Sequence, residues 1–193
     1  MLKEMERTYT LTEPTLPEDL CYLYGSYMDD YLYDVDICQH FASRNREKMA
    51  EILLDMTGLC GTDAFHTIHN YVDVEARILR KGAVSAKEGQ RLLIPLNMRD
   101  GSLVCVGKGN ADWNFSAPHG AGRLLSRKTA KETLSMEEYV RQMEGIYSTS
   151  VLPETLDESP MAYKRLEDIV EAITPTADIL ERIRPIYNFK AAN

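Results

Sequence analysis

The chain reads as an α+β protein, with mixed or antiparallel sheets flanked by helices, and three observations predict this. Residues 26–57 place Tyr27, Tyr31, Val35, Cys38, Ala42, Met49, Ile52, Leu53 and Met56 at helical spacing. Residues 71–107 hold short apolar runs cut by Gly82, Pro95 and Gly101, the length and punctuation of strands. Beyond residue 123 short amphipathic segments return, opened by serine and broken by proline. At 193 residues there is room for one domain with a real core. Its expected parts are an extended lead-in over 1–25, where Pro14 and Pro17 break any helix, a long helix over 26–57, and a chemistry-bearing region over 61–191.

Composition narrows the class. A hydrophobic share of 44% and a charged share of 27% are those of a soluble globular protein. No apolar run approaches the roughly 20 residues that span a bilayer. The stretch Met1–Arg7 lacks the apolar core of a signal peptide, so no membrane role and a cytoplasmic location are expected. Cys21, Cys38, Cys60 and Cys105 are widely spaced, which indicates neither a zinc ribbon nor a redox dithiol. A net charge of −8 argues against a general nucleic-acid binder and leaves room for a local basic groove. Arg123, Arg127 and Lys131 recur every four residues; on a helix they share one face, and they are expected to meet phosphate.

Taken in order, Ser26-Tyr27-Met28-Asp29 resembles a capping box and Gly58 a helix stop, which bounds the long helix; His40 on it is a surface or packing residue. His66 and His69, three apart, can share a helical face and bind a metal, or can be one core and one surface histidine. Tyr71–Arg80 alternates as a single strand, and Lys81-Gly82-Ala83 turns the chain. Arg91–Pro95 and Ser102–Gly107 are buried strands joined by the loop Leu96–Gly101. Gly107-Lys108-Gly109-Asn110 is a tight turn without the remainder of a P-loop. Trp113 is expected to bury its ring. Ser135-Met136-Glu137-Glu138 caps a helix with Tyr139, Val140, Met143 and Ile146 inward. Tyr163–Ile173 forms another helix, ended by Pro175, and residues 183–191 read as a terminal strand.

The densest chemical signal lies in Asn114-Phe115-Ser116-Ala117-Pro118-His119-Gly120-Ala121-Gly122-Arg123. Here an imidazole stands between a proline and a flexible turn, with a helix start beyond. Glycines let backbone approach a ligand, and the free N–H groups of a helix start attract anions. An imidazole at such a cradle can serve as base, metal ligand or nucleophile toward phosphorus.

The wording Ser116-Ala117-Pro118-His119-Gly120-Ala121-Gly122-Arg123, with Ser126-Arg127 beyond, resembles the nucleotidyl-accepting motif of the RtcB family. These are GTP- and manganese-dependent RNA-splicing ligases that join a 3′-phosphate or 2′,3′-cyclic phosphate end to a 5′-hydroxyl. The resemblance implies that His119 is the nucleophile that accepts GMP as a phosphoramidate. It also matches His69-Asn70-Tyr71-Val72 to the family's His-Asn motif, which makes His69 a manganese ligand and Asn70 a GMP contact. Pro95, Leu96, Asn97, Met98 and Ser102 align with the family's Pro-Gly-Ser-Met-Gly nucleotide loop. There Leu96-Asn97 replaces Gly-Ser, which puts the usual serine contact in question. Gly120, Ala121 and Gly122 would shape the same pocket, and Lys190 matches the C-terminal lysine that contacts the guanine nucleotide.

The resemblance takes in only the C-terminal half of the family's length. Its upstream half supplies an Asp-x-x-Cys pair, a Gly-Asn-His motif and a further histidine motif, none of which is in this sequence. Histidines at 40, 66, 69 and 119 leave His69 as the single implied metal ligand. One imidazole cannot hold a catalytic metal pair. The expectation is a fold that is incomplete as a ligase by itself, whether truncated, split or a remnant. The implied cofactors are Mn2+ and GTP; the implied partners are RNA ends, an N-terminal half chain and an archease-type activator. The rival expectation is a non-catalytic nucleotide- or RNA-binding module.

Overall fold

A computed structural model describes residues 22–190. Most of the expected lead-in and the last residues of the expected terminal strand lie outside the described residues. The chain divides into two compact units, 1–53 and 54–193.

The first unit is dominated by helix α1, Ser26–Thr57, which runs on over the division. Its surface carries the i,i+3 pairs Arg44–Glu47 at 2.9 Å and Lys48–Glu51 at 2.8 Å. His40 is exposed, its Nδ1 within 2.9 Å of the Asp36 carbonyl oxygen, as a surface histidine should be.

The second unit is built from three small antiparallel sheets and short helices. The run 71–80 is two strands rather than one: β1, Asn70–Asp73, and β2, Ile78–Lys81, form a hairpin. Asp73 causes the break. Its Oδ1 accepts from the Ala76 N–H at 3.1 Å, and Arg77 takes a left-handed φ of 53° to close the turn. Strand β3, Ala83–Ser85, then pairs with β6, Ser116–Pro118, in the register Ala83↔Pro118.

Strands β4, Arg91–Pro95, and β5, Ser102–Gly107, form where expected. Strand β7, Ala177–Ile183, joins β5, with a register shift between Val104 and Cys105. The terminal strand therefore lies earlier than the tail suggested. Beyond Ile183, among the described residues, the chain makes one isolated bridge, Asn188↔Ser148. Gly101, at φ 79°, is required between β4 and β5: a Cβ there would stand 2.0 Å from the Ile183 carbonyl oxygen.

Three short α-helices lie between β6 and β7: α2, Arg127–Thr133; α3, Met136–Gln142; and α4, Leu166–Ile173. Ser126 and Ser135 cap the first two by accepting from the Thr129 and Glu138 N–H groups. On α3, Tyr139 is buried but Val140 is exposed, because a seven-residue helix against one core cluster hides a single stripe. Trp113, on a short 3-10 turn, is exposed and not buried.

One core cluster joins Leu92, Ile94, Leu103 and Cys105 of the sheet to Ile169 and Ile173 of α4, and includes Ala117 and Ala121. A second gathers Met98, Tyr139, Met143 and Leu156.

Candidate active site

Ala117 and Ala121 are buried, and His119 between them is exposed. The two alanines anchor the loop in the core, so the imidazole is carried on a short, tethered arch. The turn after it is sewn to the end of β4, since the Ala121 N–H donates to the Pro95 carbonyl at 3.0 Å. Gly120 is needed for that closeness: a Cβ on it would lie 3.0 Å from the same oxygen.

Gly82 is the meeting point of the site. Its N–H lies 2.9 Å from both the His69 carbonyl oxygen and the Asn70 Oδ1, and donates to both. Its carbonyl faces His119 Nδ1 at 2.5 Å. A carbonyl only accepts, so Nδ1 carries a proton, and in the neutral ring Nε2 then holds the lone pair. The His69 and His119 rings stack, with centroids 5.0 Å apart and planes 19° from parallel. The pairing β1–β2 followed directly by β3–β6 forces this: His69 enters the first sheet and His119 leaves the second, and Gly82 joins them.

Arg80 braces the approach to this loop. Its guanidinium is buried and donates to Ser116 Oγ and Tyr71 Oη, both at 3.0 Å, and to the Asn114 carbonyl at 3.2 Å. It also meets Asp73 at 3.4 Å. The two residues it holds just before β6, Asn114 and Phe115, have left-handed φ values of 50° and 52°. Such backbone persists only where surrounding bonds determine it.

The loop 96–101 uses its own polar groups. Asn97 Oδ1 accepts from the Arg99 and Asp100 N–H groups at 3.0 and 2.8 Å, and Asn97 Nδ2 donates to Asp100. The Leu96 and Met98 side chains are buried, the Met98 sulfur accepting from Tyr139 Oη at 3.1 Å. These three side chains serve the fold, and a ligand there would meet backbone. Ser102 begins β5, opposite Pro95, and is half-buried.

The basic residues are arranged differently from a phosphate-facing helix. Arg123 precedes α2 rather than lying on it, and pairs as an isolated bridge with Tyr163. Arg123, Arg127 and Lys131 all turn to the acidic pair Asp157-Glu158. Lys190 reaches the same place, its Nζ 3.3 Å from Glu158. Burial works against both carboxylates. The Arg127 and Lys131 charges still hold Asp157 below the usual range, and Tyr163, Lys190 and Arg123 do the same for Glu158. The Tyr163 hydroxyl is pushed up to about 12, by burial and then by donation to Glu158.

The structure thus brings His69, Asn70, Pro95, His119, Gly120 and Ala121 together, and gathers Lys190 with Arg123 and Arg127. His66 makes no metal cluster: among the described residues no three His, Cys, Asp or Glu side chains gather to hold an ion. The donors among the described residues therefore do not fit a manganese site by themselves. Arg80, Asp157, Glu158 and Tyr163 were not singled out in sequence as site residues, and no spacing within it marks them.

A family model described as tRNA-splicing ligase RtcB matches residues 1–191. The chain belongs to the RtcB family. It is similar to the RNA-splicing ligase RtcB of Escherichia coli (strain K12), at 33% identity over 208 residues, covering 97% of this chain and 50% of that protein. The tRNA-splicing ligase RtcB of Methanopyrus kandleri is 34% identical over 105 residues, covering 50% of this chain and 10% of that protein. That of Aeropyrum pernix is also 34% identical over 105 residues, covering 51% and 22%. The chain spans about half the length of the Escherichia coli relatives it matches. Among the described residues, no helix is long and apolar enough to cross a membrane.

Proposed function

We propose that this chain is the nucleophile-bearing part of a GTP-dependent RNA ligase, with His119 as the GMP acceptor. The carrying observation is the Gly82 carbonyl opposite His119 Nδ1, which leaves Nε2 as the nucleophilic nitrogen. Nε2 attacks the α-phosphorus of GTP; the N–P bond forms, the bond to the bridging oxygen breaks, and pyrophosphate leaves. The positive charge that grows on the ring is met by the Gly82 carbonyl dipole. Asn70, the Pro95 carbonyl edge, Ser102, Gly120–Gly122 and Lys190 flank the nucleotide, and an RNA 3′-phosphate end is then activated for its 5′-hydroxyl partner.

His69 is the manganese ligand read in this sequence, and the remaining donors belong to the part of a relative's length that the sequence does not span, on the same polypeptide or on another. The reading includes that half chain, RNA ends and an archease-type activator as partners, in the cytoplasm. With GTP and manganese the chain alone is expected to form no stable guanylylated protein. Supplied with that second half in trans, it is expected to gain one GMP by mass, to lose it in His119→Ala, and to join a cyclic-phosphate RNA end to a 5′-hydroxyl end. No adduct in the complemented pair would overturn the assignment of His119. The scarcity of metal donors favours a second reading, a non-catalytic module that retains the pocket. It predicts GTP uptake without any adduct in either setting.

A further inference from the structure

Five side chains from separate parts of the chain converge on the acidic pair that ends the 3-10 turn Pro153–Glu158. Glu158 is the more heavily used of the two. Its Oε1 accepts from Arg123 Nη2 and Arg127 Nη1, both at 2.7 Å. Its Oε2 accepts from Tyr163 Oη at 2.8 Å and faces Lys190 Nζ at 3.3 Å. Arg123 is fixed further: Nη1 donates to the Asp157 carbonyl at 2.7 Å, Nη2 contacts Tyr163 Oη at 3.0 Å, and its Cζ lies 4.8 Å from the Tyr163 ring centroid.

The Glu158 side chain is 12% exposed and that of Asp157 is 5% exposed, so both are poorly screened by water. Two carboxylates stand against four cations, Arg123, Arg127, Lys131 and Lys190. The cluster keeps a net positive charge while each cation is held in place. A lysine at the chain's tail and an arginine four residues after His119 would otherwise be independent, flexible groups.

We infer that Glu158 is a positioning residue of the nucleotide site: its carboxylate holds Lys190, Arg123 and Tyr163 in one geometry, and GTP is bound through that geometry. This rests on the ligase reading above. Glu158 acts through these neighbours, which already take both of its oxygens. Its loss leaves Lys190 free to sample other rotamers and Tyr163 without its acceptor, so affinity falls through them. The outer partners that orient metal ligands change metal affinity by about 10-fold or more, and a comparable effect is expected for Glu158 on GTP.

The test is a double-mutant cycle on GTP affinity, measured by calorimetry on the full chain, with thermal melting beside it. Glu158→Gln should weaken GTP binding ~10-fold or more. In a Lys190→Met background the same change should cost much less, because its effect runs in part through Lys190. Glu158→Asp, which keeps the charge but draws it back by one methylene, should recover part of the loss. It also stands in should the glutamine variant fail to fold. A carboxylate that serves stability alone would lower the melting temperature and leave the two affinity losses additive, which overturns the inference. Unchanged GTP affinity in Glu158→Gln does the same. If the wild-type chain takes up no GTP, alone or complemented, the nucleotide reading itself falls and takes this inference with it.

Discussion

The imidazole of His119 stacks on that of His69, with ring centroids 5.0 Å apart. Both are set by Gly82, whose N–H is taken by the His69 carbonyl and the Asn70 amide while its carbonyl faces His119. The backbone favours glycine at that point, because its φ is 68°, and a Cβ there would come into contact with His119 Cε1 and Nδ1 at 3.4 Å.

Gly82→Ala is therefore expected to cost about 1–2 kcal/mol of stability from left-handed strain. It should also turn the His119 ring off the Gly82 carbonyl. Melting would register the first effect. The rate at which a histidine-directed acylating reagent modifies His119 would register the second, and an unchanged rate would contradict the hub role of Gly82.

Arg80 is expected to be the most costly single side chain to remove from this region. It is buried and paired with the largely buried Asp73, and it satisfies the carbonyl of the strained Asn114. Lys87 still faces Asp73 at 3.1 Å, so Arg80→Met should lower stability by about 1–3 kcal/mol, the usual cost of leaving buried hydrogen-bonding groups unsatisfied. Arg80→Lys should rescue little, since one ammonium cannot reach Ser116, Tyr71 and Asn114 at once. Denaturant unfolding at neutral pH measures both.

The acidic pair makes stability pH-dependent. Asp157 and Glu158 both sit below their ordinary values of 3.8 and 4.5, so the folded chain binds fewer protons than the unfolded one. Their contribution is complete above those ordinary values and is lost as pH falls through the lower folded-state values. Melting temperature should drop in that acid range, and less steeply in Asp157→Asn. An equal slope in wild type and variant would show that the pair is not the cause.

Cys105 should be inert while the fold is intact. Burial, and then the nearby Asp178 charge, push its thiol up to about 11, whereas Cys38 and Cys60 are exposed. A thiol reagent near neutral pH should modify Cys38 and Cys60 quickly and reach Cys105 only as the chain unfolds. Fast labelling of Cys105 in the native chain would mean that the β4–β5–β7 sheet opens locally.

Much of the site was legible because its signals are local. Pro118-His119-Gly120-Ala121-Gly122-Arg123 announces a turn and a reactive side chain in consecutive residues, and Ser135 announces the helix that starts at Met136. The hairpin at Asp73–Arg77 was legible in principle. The Asp that begins its turn is masked by the apolar alternation around it.

Other features had no local signal. Trp113 offers a large apolar ring, but whether a ring is covered depends on what folds over it, and nothing covers more than part of it. Arg123, Arg127 and Lys131 carry a helical period, yet the helix begins only at Arg127, and all three turn to carboxylates some thirty residues away. Spacing reports which face a side chain can occupy and is silent about which charge from a distant segment will stand opposite.

What the sequence determined by itself was the α+β class, the long helix, the strands at 91–95 and 102–107, and the histidine on its glycine turn. Backbone preference and apolar periodicity act over a few residues, so they can be read from a few residues. What only the tertiary structure decided was the company those residues keep: His69 against His119 through Gly82, Arg80 beneath the strained loop, and Glu158 gathering Arg123, Tyr163 and Lys190. Those contacts join segments far apart in the chain, and they exist because sheet pairing and core burial fix distances that no local rule contains.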